Sequence, residues 1–206
     1  MIIKKLGCVP YINTFEAMKA FTTSRTKTQE DELWVLEHAP VYTVGMAGKQ
    51  EHFPREDNQI PIIRIDRGGQ ITYHGPGQVI IYLLLDLRRR TIKIRELVRL
   101  MEQAVINLLK HYNIQAEARP DAPGVYVDGA KIAALGLRIQ NGCSYHGISL
   151  NVKMDLSPFH VINPCGYAGL KVVQLSDFVP DCDFNQVSQA LLDELVLLLK
   201  PTEILL

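Results

Sequence analysis

The chain has no excess of charge of either sign, because 22 basic residues balance 22 acidic ones among its 206 residues. A nucleic-acid-binding domain usually carries a strong basic excess, so the composition argues against a nucleic-acid partner. A net charge near zero also argues against steering of a charged ligand by the whole molecule.

Cysteine is scarce, and its spacing shows neither a CxxC pair nor the pattern of a disulfide framework. The four cysteines are Cys8, Cys143, Cys165 and Cys182. A chain of this length buries roughly 70% of its unfolded surface, so it can fold without disulfides or a metal ion. We therefore expect free thiols in a reducing compartment. We expect no zinc site either, since His160 and Cys165 form at most one loose pair of ligands.

Long hydrophobic runs are also missing. The apolar run 79–85 is far shorter than the roughly 20 residues that cross a bilayer. The first residues, MIIKKLG, lack the apolar core of a signal peptide. We expect a cytoplasmic monomer without a membrane partner, built as a single domain over 1–206 with at most a small appendage.

The pattern of elements predicts an α+β fold, because strands outnumber helices and segregate from them. Apolar residues at helical spacing predict helices over 94–112 and 184–200, and one that begins within 14–21. Apolar runs predict strands at 2–6, 33–36, 41–45, 60–65 and 79–85, and we expect the last two to be buried on both faces. Asp128-Gly129 and Asn141-Gly142 favour tight hairpin turns, so we expect an antiparallel meander of three strands over 124–152.

A glycine-rich stretch, RGGQITYHGPGQ, occupies 67–78. It has neither the GKS/T ending of a P-loop nor the GxGxxG spacing of a dinucleotide site. Its four glycines indicate a sharp bend or a close approach to a ligand. Arg67, Tyr73 and His74 add polar groups. His74 could be a base, a hydrogen-bond donor to a carbonyl or a structural histidine, and the residues alone slightly favour the structural role.

The most informative stretch is Pro164-Cys165-Gly166, which presents a thiol at a turn. A thiol needs a positive neighbour to be a nucleophile at neutral pH. Lys131 is the candidate, since strand alternation places it on one face with Leu135 and Leu137. Burial there would lower its pKa and a thiolate would restore its charge. The alternative is a lysine near the strand end whose side chain extends to water. With alternation as the only evidence this alternative is favoured, because a predicted strand face often slips by one residue.

The same strand is rich in small residues, including Ala130, Ala133, Ala134 and Gly136. Small side chains leave room for a slender acyl chain, although a packed helix is the commoner occupant. His146 shares its predicted face with Ile148 and Leu150, so a core histidine with a backbone partner explains it.

Together these motifs resemble the bacterial lipoyl(octanoyl) transferases, also called octanoyl-ACP:protein octanoyltransferases. The resemblance is carried by EHAPVYTVG at 37–45, the stretch 67–78, GAKIAALGLRI at 129–139, HGISLNV at 146–152 and NPCGYAGL at 163–170. These stretches span most of the chain in family order. One departure is Val173-Gln174, where the family usually has Thr-Ser before a leucine.

The resemblance implies a fold like the biotin and lipoate ligase catalytic domains, with a mixed sheet, flanking helices and a smaller second sheet. It implies transfer of an octanoyl group from octanoyl-acyl carrier protein to a lysine of lipoyl domains, without a cofactor. The implied acceptors are E2 subunits of 2-oxoacid dehydrogenases and the glycine-cleavage H protein.

Residue by residue, the resemblance makes Cys165 the nucleophile and Lys131 the group that lowers its pKa. It implies that the acyl group is bound by Arg67, Gly68, Gly69, Gln70, Ile71, Thr72, Tyr73, His74, Ala134, Leu135, Gly136, Gly147, Ile148 and Ser149. We expect backbone N–H groups of Gly136 and Gly147 to face the reacting carbonyl oxygen.

Two other functions remain open from the sequence. An ATP-dependent lipoate or biotin ligase would share the architecture but would not require Cys165. A non-catalytic module that binds an acyl group or a carrier protein would leave Cys165 incidental. A cysteine protease is a remote third, because no local signal ties His74 or His146 to the thiol.

Overall fold

The computed structural model describes residues 1–54, 59–166 and 169–200, without the side chain of Cys165. The strands, in chain order, are β1 (Ile2–Val9), β2 (Glu32–His38), β3 (Val41–Val44), β4 (Ile62–Arg64), β5 (Ile71–His74), β6 (Gln78–Leu84), β7 (Glu117–Ala118), β8 (Val125–Val127), β9 (Ala130–Gln140) and β10 (Cys143–Asn151). The α-helices are α1 (Tyr11–Thr23), α2 (Ile94–His111), α3 (Ser157–His160) and α4 (Phe184–Leu198). Three single 3₁₀ turns lie at Gln50–His52, Pro164–Gly166 and Leu175–Asp177.

Seven strands form a mixed sheet in the order β1-β2-β6-β10-β9-β8-β7. β1 and β2 are parallel and each other adjacent pair is antiparallel. A second sheet of three strands has the order β4-β3-β5. The predicted α+β class is confirmed.

The helices divide the apolar residues between the two faces of the large sheet. α2 and α4 pack on one face, around residues such as Leu83, Leu108 and Leu191. α1 covers part of the other face, where Met18 and Trp34 are buried. The wide apolar stripe of α2 explains this placement, because a helix with one apolar face is stable only when that face is covered.

Both predicted hairpins are present. Asp128, Gly129, Asn141 and Gly142 all have positive φ, between 48° and 80°, as tight hairpin turns between right-twisted strands require. The predicted N-cap of α4 is also confirmed, since the side chain of Asp183 accepts a hydrogen bond from Gln186 N.

One strand prediction is wrong in its burial. The segment predicted at 60–65 shortens to β4, which is an edge strand of the small sheet and leaves Ile62 45% exposed. A continuous apolar run is also compatible with an edge strand that has one solvated face, and periodicity cannot separate the two cases. β6, by contrast, is buried along its whole length as expected.

Candidate functional site

A cavity of about 380 Å³ lies along β9 and β10, under the loop that precedes β5. β8 pairs with β9 only as far as Ala133, so the outer edge of β9 is without a β8 partner from Ala134 onward. The cavity lining contains thirteen of the fourteen residues expected to bind an acyl group, namely Arg67, Gly68, Gly69, Gln70, Ile71, Thr72, His74, Ala134, Leu135, Gly136, Gly147, Ile148 and Ser149. The pairing of β9 with β10 places 134–136 beside 147–149, and the hydrogen bond from Gly68 N to Leu137 O joins the loop 67–70 to them.

Tyr73 is the expected residue that does not line this cavity. Side chains alternate along β5, so the Tyr73 side chain points away from those of Thr72 and His74, which both line the cavity. Its ring packs edge-on against Phe159, with 5.5 Å between centroids. Tyr73 therefore belongs to the apolar contact between the small sheet and α3.

The loop 67–70 forms the roof of the cavity, and the side chain of Arg67 holds this roof in place. Its Nη2 donates to the carbonyl oxygen of Thr43 at 2.7 Å and to Thr43 Oγ1 at 3.0 Å. A Cβ at Gly136 would come within 2.8 Å of Arg67 Cδ, so a glycine is needed for the arginine to lie against β9. Gly68 N donates to Leu137 O at 3.0 Å, which ties the roof to the edge of β9.

The ladder geometry corrects the expected role of two backbone N–H groups. The backbone C=O of Leu137 points to the loop 67–70. Since backbone polar groups alternate between the two edges of a strand, the N–H and C=O of Gly136 point to β10 instead. Gly136 pairs directly with Gly147 in that ladder. Both N–H groups are used between the strands, and the expectation that they face the reacting carbonyl oxygen is wrong.

Lys131 is buried, with 4% of its surface exposed. Its Nζ donates to Pro123 O at 3.2 Å and lies 5.1 Å from the centroid of the Tyr126 ring. Glu102 lies in the same neighbourhood, where burial raises the pKa of its carboxyl and Gly124 N donates to it at 3.1 Å. The alternative in which Lys131 extends to water is therefore wrong.

The segment that follows the cysteine turn, Pro164–Gly166, is hydrogen-bonded to the backbone of Lys131. Lys131 N donates to Lys171 O at 2.8 Å, and Val173 N donates to Lys131 O at 3.0 Å. A small second cavity of about 10 Å³ is lined by both Lys131 and Pro164, together with Thr72 and Ser149. The fold thus brings the backbone of the turn Pro164–Gly166 next to the lysine. The side chain of Cys165 lies outside the described residues, so the ion pair itself stays a prediction.

His74 has partners at both ring nitrogens. Nδ1 donates to Gln78 Oε1 at 2.7 Å, and Nε2 accepts from Thr43 Oγ1 at 3.3 Å. Burial is the main cause that lowers the pKa of His74 to about 3, and repulsion from His38, once that ring is protonated, adds to it. A neutral ring with both nitrogens engaged favours the structural role for His74.

The predicted face of His146 is wrong. His146 has φ of 61°, which interrupts the alternation of β10 and turns the ring toward α1. There it stacks on Phe15 and contacts Asp66, with 3.3 Å between Nε2 and Oδ1. Burial alone would raise the pKa of Asp66, but hydrogen bonds from His146 and Tyr145 lower it to about 2. The partner of His146 is thus a carboxylate and not a backbone group.

Sequence reasoning missed the tyrosines Tyr11 and Tyr82, which line the cavity. Tyr82 donates to His38 Nε2 at 2.7 Å, and His38 Nδ1 donates to Val9 O at 2.8 Å. Burial lowers the pKa of His38 to about 4, so this ring is neutral. Tyr82 lies within the apolar run 79–85, and a buried hydroxyl needs a hydrogen-bond partner, which was the available signal.

The described residues contain no group of three His, Cys, Asp or Glu side chains arranged to hold a metal ion. Among them, no helix has the length and apolar character of a membrane span.

The chain matches the family described as "Lipoyl protein ligase A/B catalytic domain" over residues 10–196. It is similar to the octanoyltransferase of Dechloromonas aromatica (strain RCB), with 64% identity over 94% of this chain and 96% of the relative. It is also similar to the octanoyltransferase of Azoarcus sp. (strain BH72), with 59% identity over 98% of this chain and 88% of the relative.

Two solved structures show the fold at lower identity. A bipartite lipoate protein ligase from Thermoplasma acidophilum, described with its E2 lipoyl domain, is 19% identical, with a TM-score of 0.72 over 96% of this chain and 82% of that one. A biotin protein ligase from Aquifex aeolicus is 12% identical, with a TM-score of 0.57 over 97% of this chain and 69% of that one. These likenesses confirm the expected architecture. The chain belongs to the lipoyl protein ligase A/B catalytic domain family and, within it, to the octanoyltransferases, which makes it an acyltransferase.

Proposed function

We propose that the protein transfers an octanoyl group from octanoyl-acyl carrier protein to a lysine of a lipoyl domain, through a thioester on Cys165. The observation that carries the proposal is the attachment of the segment after Cys165 to the backbone of Lys131, beside a cavity of about 380 Å³. The names of the relatives support the octanoyl group, and the lipoyl domain described with the Thermoplasma ligase supports the acceptor.

In the first step the Cys165 thiolate attacks the carbonyl carbon of the donor thioester. A new C–S bond forms, and the bond to the sulfur of the carrier's prosthetic arm breaks. The departing thiolate takes a proton from the Lys131 ammonium, which leaves Lys131 neutral. The hydroxyls of Thr72 and Ser149, which line both cavities together with Lys131, are the proposed donors to the oxyanion.

In the second step the neutral amine of the acceptor lysine attacks the acyl-enzyme. A C–N bond forms, and the Cys165 thiolate leaves. The proton released from the amine returns to Lys131, so the pair regains its starting charges. Exchange of one thioester for another and then for an amide needs neither ATP nor a metal ion. The mechanism does need a reduced Cys165, which a cytoplasmic location provides.

The acceptors implied by the family are E2 subunits of 2-oxoacid dehydrogenases and the glycine-cleavage H protein. We propose that the cavity holds the octanoyl chain in both half-reactions, since Lys131 is itself among the residues that line it. A single cavity serving donor and acceptor steps is consistent with a shared acyl-enzyme.

Intact-mass measurement after incubation with octanoyl-carrier protein tests the proposal. We expect one octanoyl adduct on the wild-type chain, located at Cys165 by peptide mapping, and its loss when an apo lipoyl domain is added. Cys143→Ala serves as the control, because Cys143 lies in the hairpin at the opposite end of β10 and should leave the adduct intact.

Two outcomes would contradict it. If Cys165→Ala retained full transfer with ATP and free octanoic acid, the protein would be a ligase. If the wild-type chain bound the donor without any thioester adduct, it would be an acyl-binding module.

A further inference from the structure

The cysteine turn is held from both sides. On its C-terminal side, Lys171 and Val173 bond to the backbone of Lys131. On its N-terminal side stands Asn163, directly before the turn Pro164–Gly166. The contacts of Asn163 therefore decide how the turn enters the site.

Asn163 is bound twice by one residue, His52. The backbone N–H of Asn163 donates to the carbonyl oxygen of His52 at 3.2 Å. Its side-chain Nδ2 lies 3.3 Å from His52 Nδ1, so the amide donates to that nitrogen in the neutral ring. The proton on Nε2 then faces Glu51 Oε1 at 3.5 Å. Two bonds fix both the backbone and the side chain of Asn163.

The segment that carries His52 is itself fixed to the cavity roof. Met46 N donates to Arg67 O at 2.9 Å, and Ala47 N donates to Gly69 O at 3.1 Å. Nearer to His52, Lys49 N donates to Gln70 Oε1 at 3.0 Å. The segment 46–52 is thus linked by three hydrogen bonds to the loop 67–70, which forms the roof.

The roof also touches the other end of the turn. A Cβ at Gly166 would come within 3.0 Å of Gln70 Cγ, so Gln70 lies directly against this residue. The roof therefore holds the turn at Gly166 by packing and at Asn163 through His52.

We propose that His52 is a positioning residue, which sets the place of the cysteine turn over Lys131 through its pair of bonds to Asn163. This inference rests on the proposed function. Displacement of a reacting group by about 1 Å can cost two orders of magnitude in rate. The two hydrogen bonds that position the turn of Cys165 should therefore have a measurable effect on the rate of acylation. His52 acts through Asn163 and has no assigned contact with the acyl group.

Two measurements test this role on the full chain. The first is the single-turnover rate of acyl-enzyme formation from octanoyl-carrier protein. The second is the pH profile of iodoacetamide alkylation, followed at Cys165 by peptide mass mapping. His52→Ala should slow acylation about tenfold, leave the KM for the donor unchanged, and move the alkylation midpoint toward that of a free thiol.

Matched variants separate positioning from general damage. His52→Asn places an acceptor oxygen the same number of bonds from Cβ as Nδ1 and should restore most of the rate. Asn163→Ala should reproduce the defect of His52→Ala, and the double variant should be no slower than either single one. His160→Ala, at the exposed end of α3, is the control and should behave as wild type.

A wild-type acylation rate and alkylation profile in both His52→Ala and Asn163→Ala would overturn the inference, as would equal losses in His52→Ala and His52→Asn. A wild-type chain that forms no thioester adduct would instead refute the proposed function. The alkylation profiles of the variants would still test whether His52 positions the cysteine turn in that case, because alkylation needs no acyl donor.

Discussion

Lys131 is held in its place by contacts that leave it little access to water. Its Nζ has a carbonyl oxygen and an aromatic face as neighbours, and its backbone is bonded on both sides to the segment 171–173. A buried ammonium is stabilised by a nearby negative charge, which is the role proposed for the thiolate of Cys165. The lysine and the thiol would then each favour the charged form of the other.

This reciprocity gives a pH-dependent prediction for Lys131→Ala. Without the ammonium, a thiol with an ordinary pKa of about 8.5 is only a few per cent ionised at pH 7, so we expect acyl-enzyme formation to fall at least tenfold there. The deficit should shrink toward pH 9, where the thiol ionises unaided. Single-turnover acylation across this pH range is the measurement.

Lys171→Ala provides the matched control, because Lys171 is exposed and contributes its carbonyl oxygen, which the substitution retains. It should follow the wild-type profile. An acylation profile of Lys131→Ala that has the same shape and height as the wild-type one would remove Lys131 from the mechanism.

At the scale of elements, the glycine-rich stretch before β6 contains a position that only glycine fits. Gly77 has φ of 84°, and its backbone N donates to Glu37 Oε2 at 2.6 Å. A Cβ there would come within 1.9 Å of Lys153 O, which is backbone and cannot move aside cheaply. The glycine therefore joins β6 to the end of β10 and to β2.

Gly77→Ala should lower the free energy of unfolding by about 3 kcal/mol, because left-handed strain and a steric clash add. Gly7→Ala is the matched comparison, since Gly7 also has positive φ, 68°, but has open space around its Cβ position. It should cost only about 1 kcal/mol. Urea unfolding of both variants measures the difference, and equal losses would show that strain alone decides.

At the scale of the whole molecule, one carboxylate joins segments that are distant in sequence. Asp31 accepts hydrogen bonds from Arg25 and Arg90, from Arg89 Nη2 at 2.8 Å and from Asp86 N at 2.9 Å. Burial alone would raise the pKa of Asp31, but these bonds and the arginine charges hold it below its ordinary value. Its contribution to stability is present above pH ~4 and is lost as the pH falls through the lowered pKa.

Asp31→Ala should lower the free energy of unfolding by about 3 kcal/mol at pH 7, because it leaves a buried guanidinium at Arg25 without its counter-ion. Urea unfolding measures this loss. Asp193→Ala on the exposed side of α4 is the control and should change stability little. Acyl transfer by the folded Asp31→Ala protein should stay at the wild-type level, and a loss of activity without a loss of stability would contradict the purely structural role.

Prediction from sequence succeeded where the determinants are local. The hairpin at Asn141-Gly142 follows from two residues that tolerate positive φ, and α2 follows from its own apolar stripe. It failed at His146, where one residue with φ of 61° reverses the alternation on which the face was predicted. It also failed at Ile62, because an apolar run does not state whether its strand lies at an edge.

The sequence alone determined the family, the helices and hairpins, and the residue types that can carry acyl transfer, because motifs and periodicity are written in neighbouring residues. Only the tertiary structure decided that Lys131 is buried, that the segment after Cys165 bonds to it, and that His52 reaches Asn163. These contacts join residues that are far apart in the chain. Their geometry depends on the register of β9 and β10 and on the packing of the small sheet above them, which no local pattern encodes.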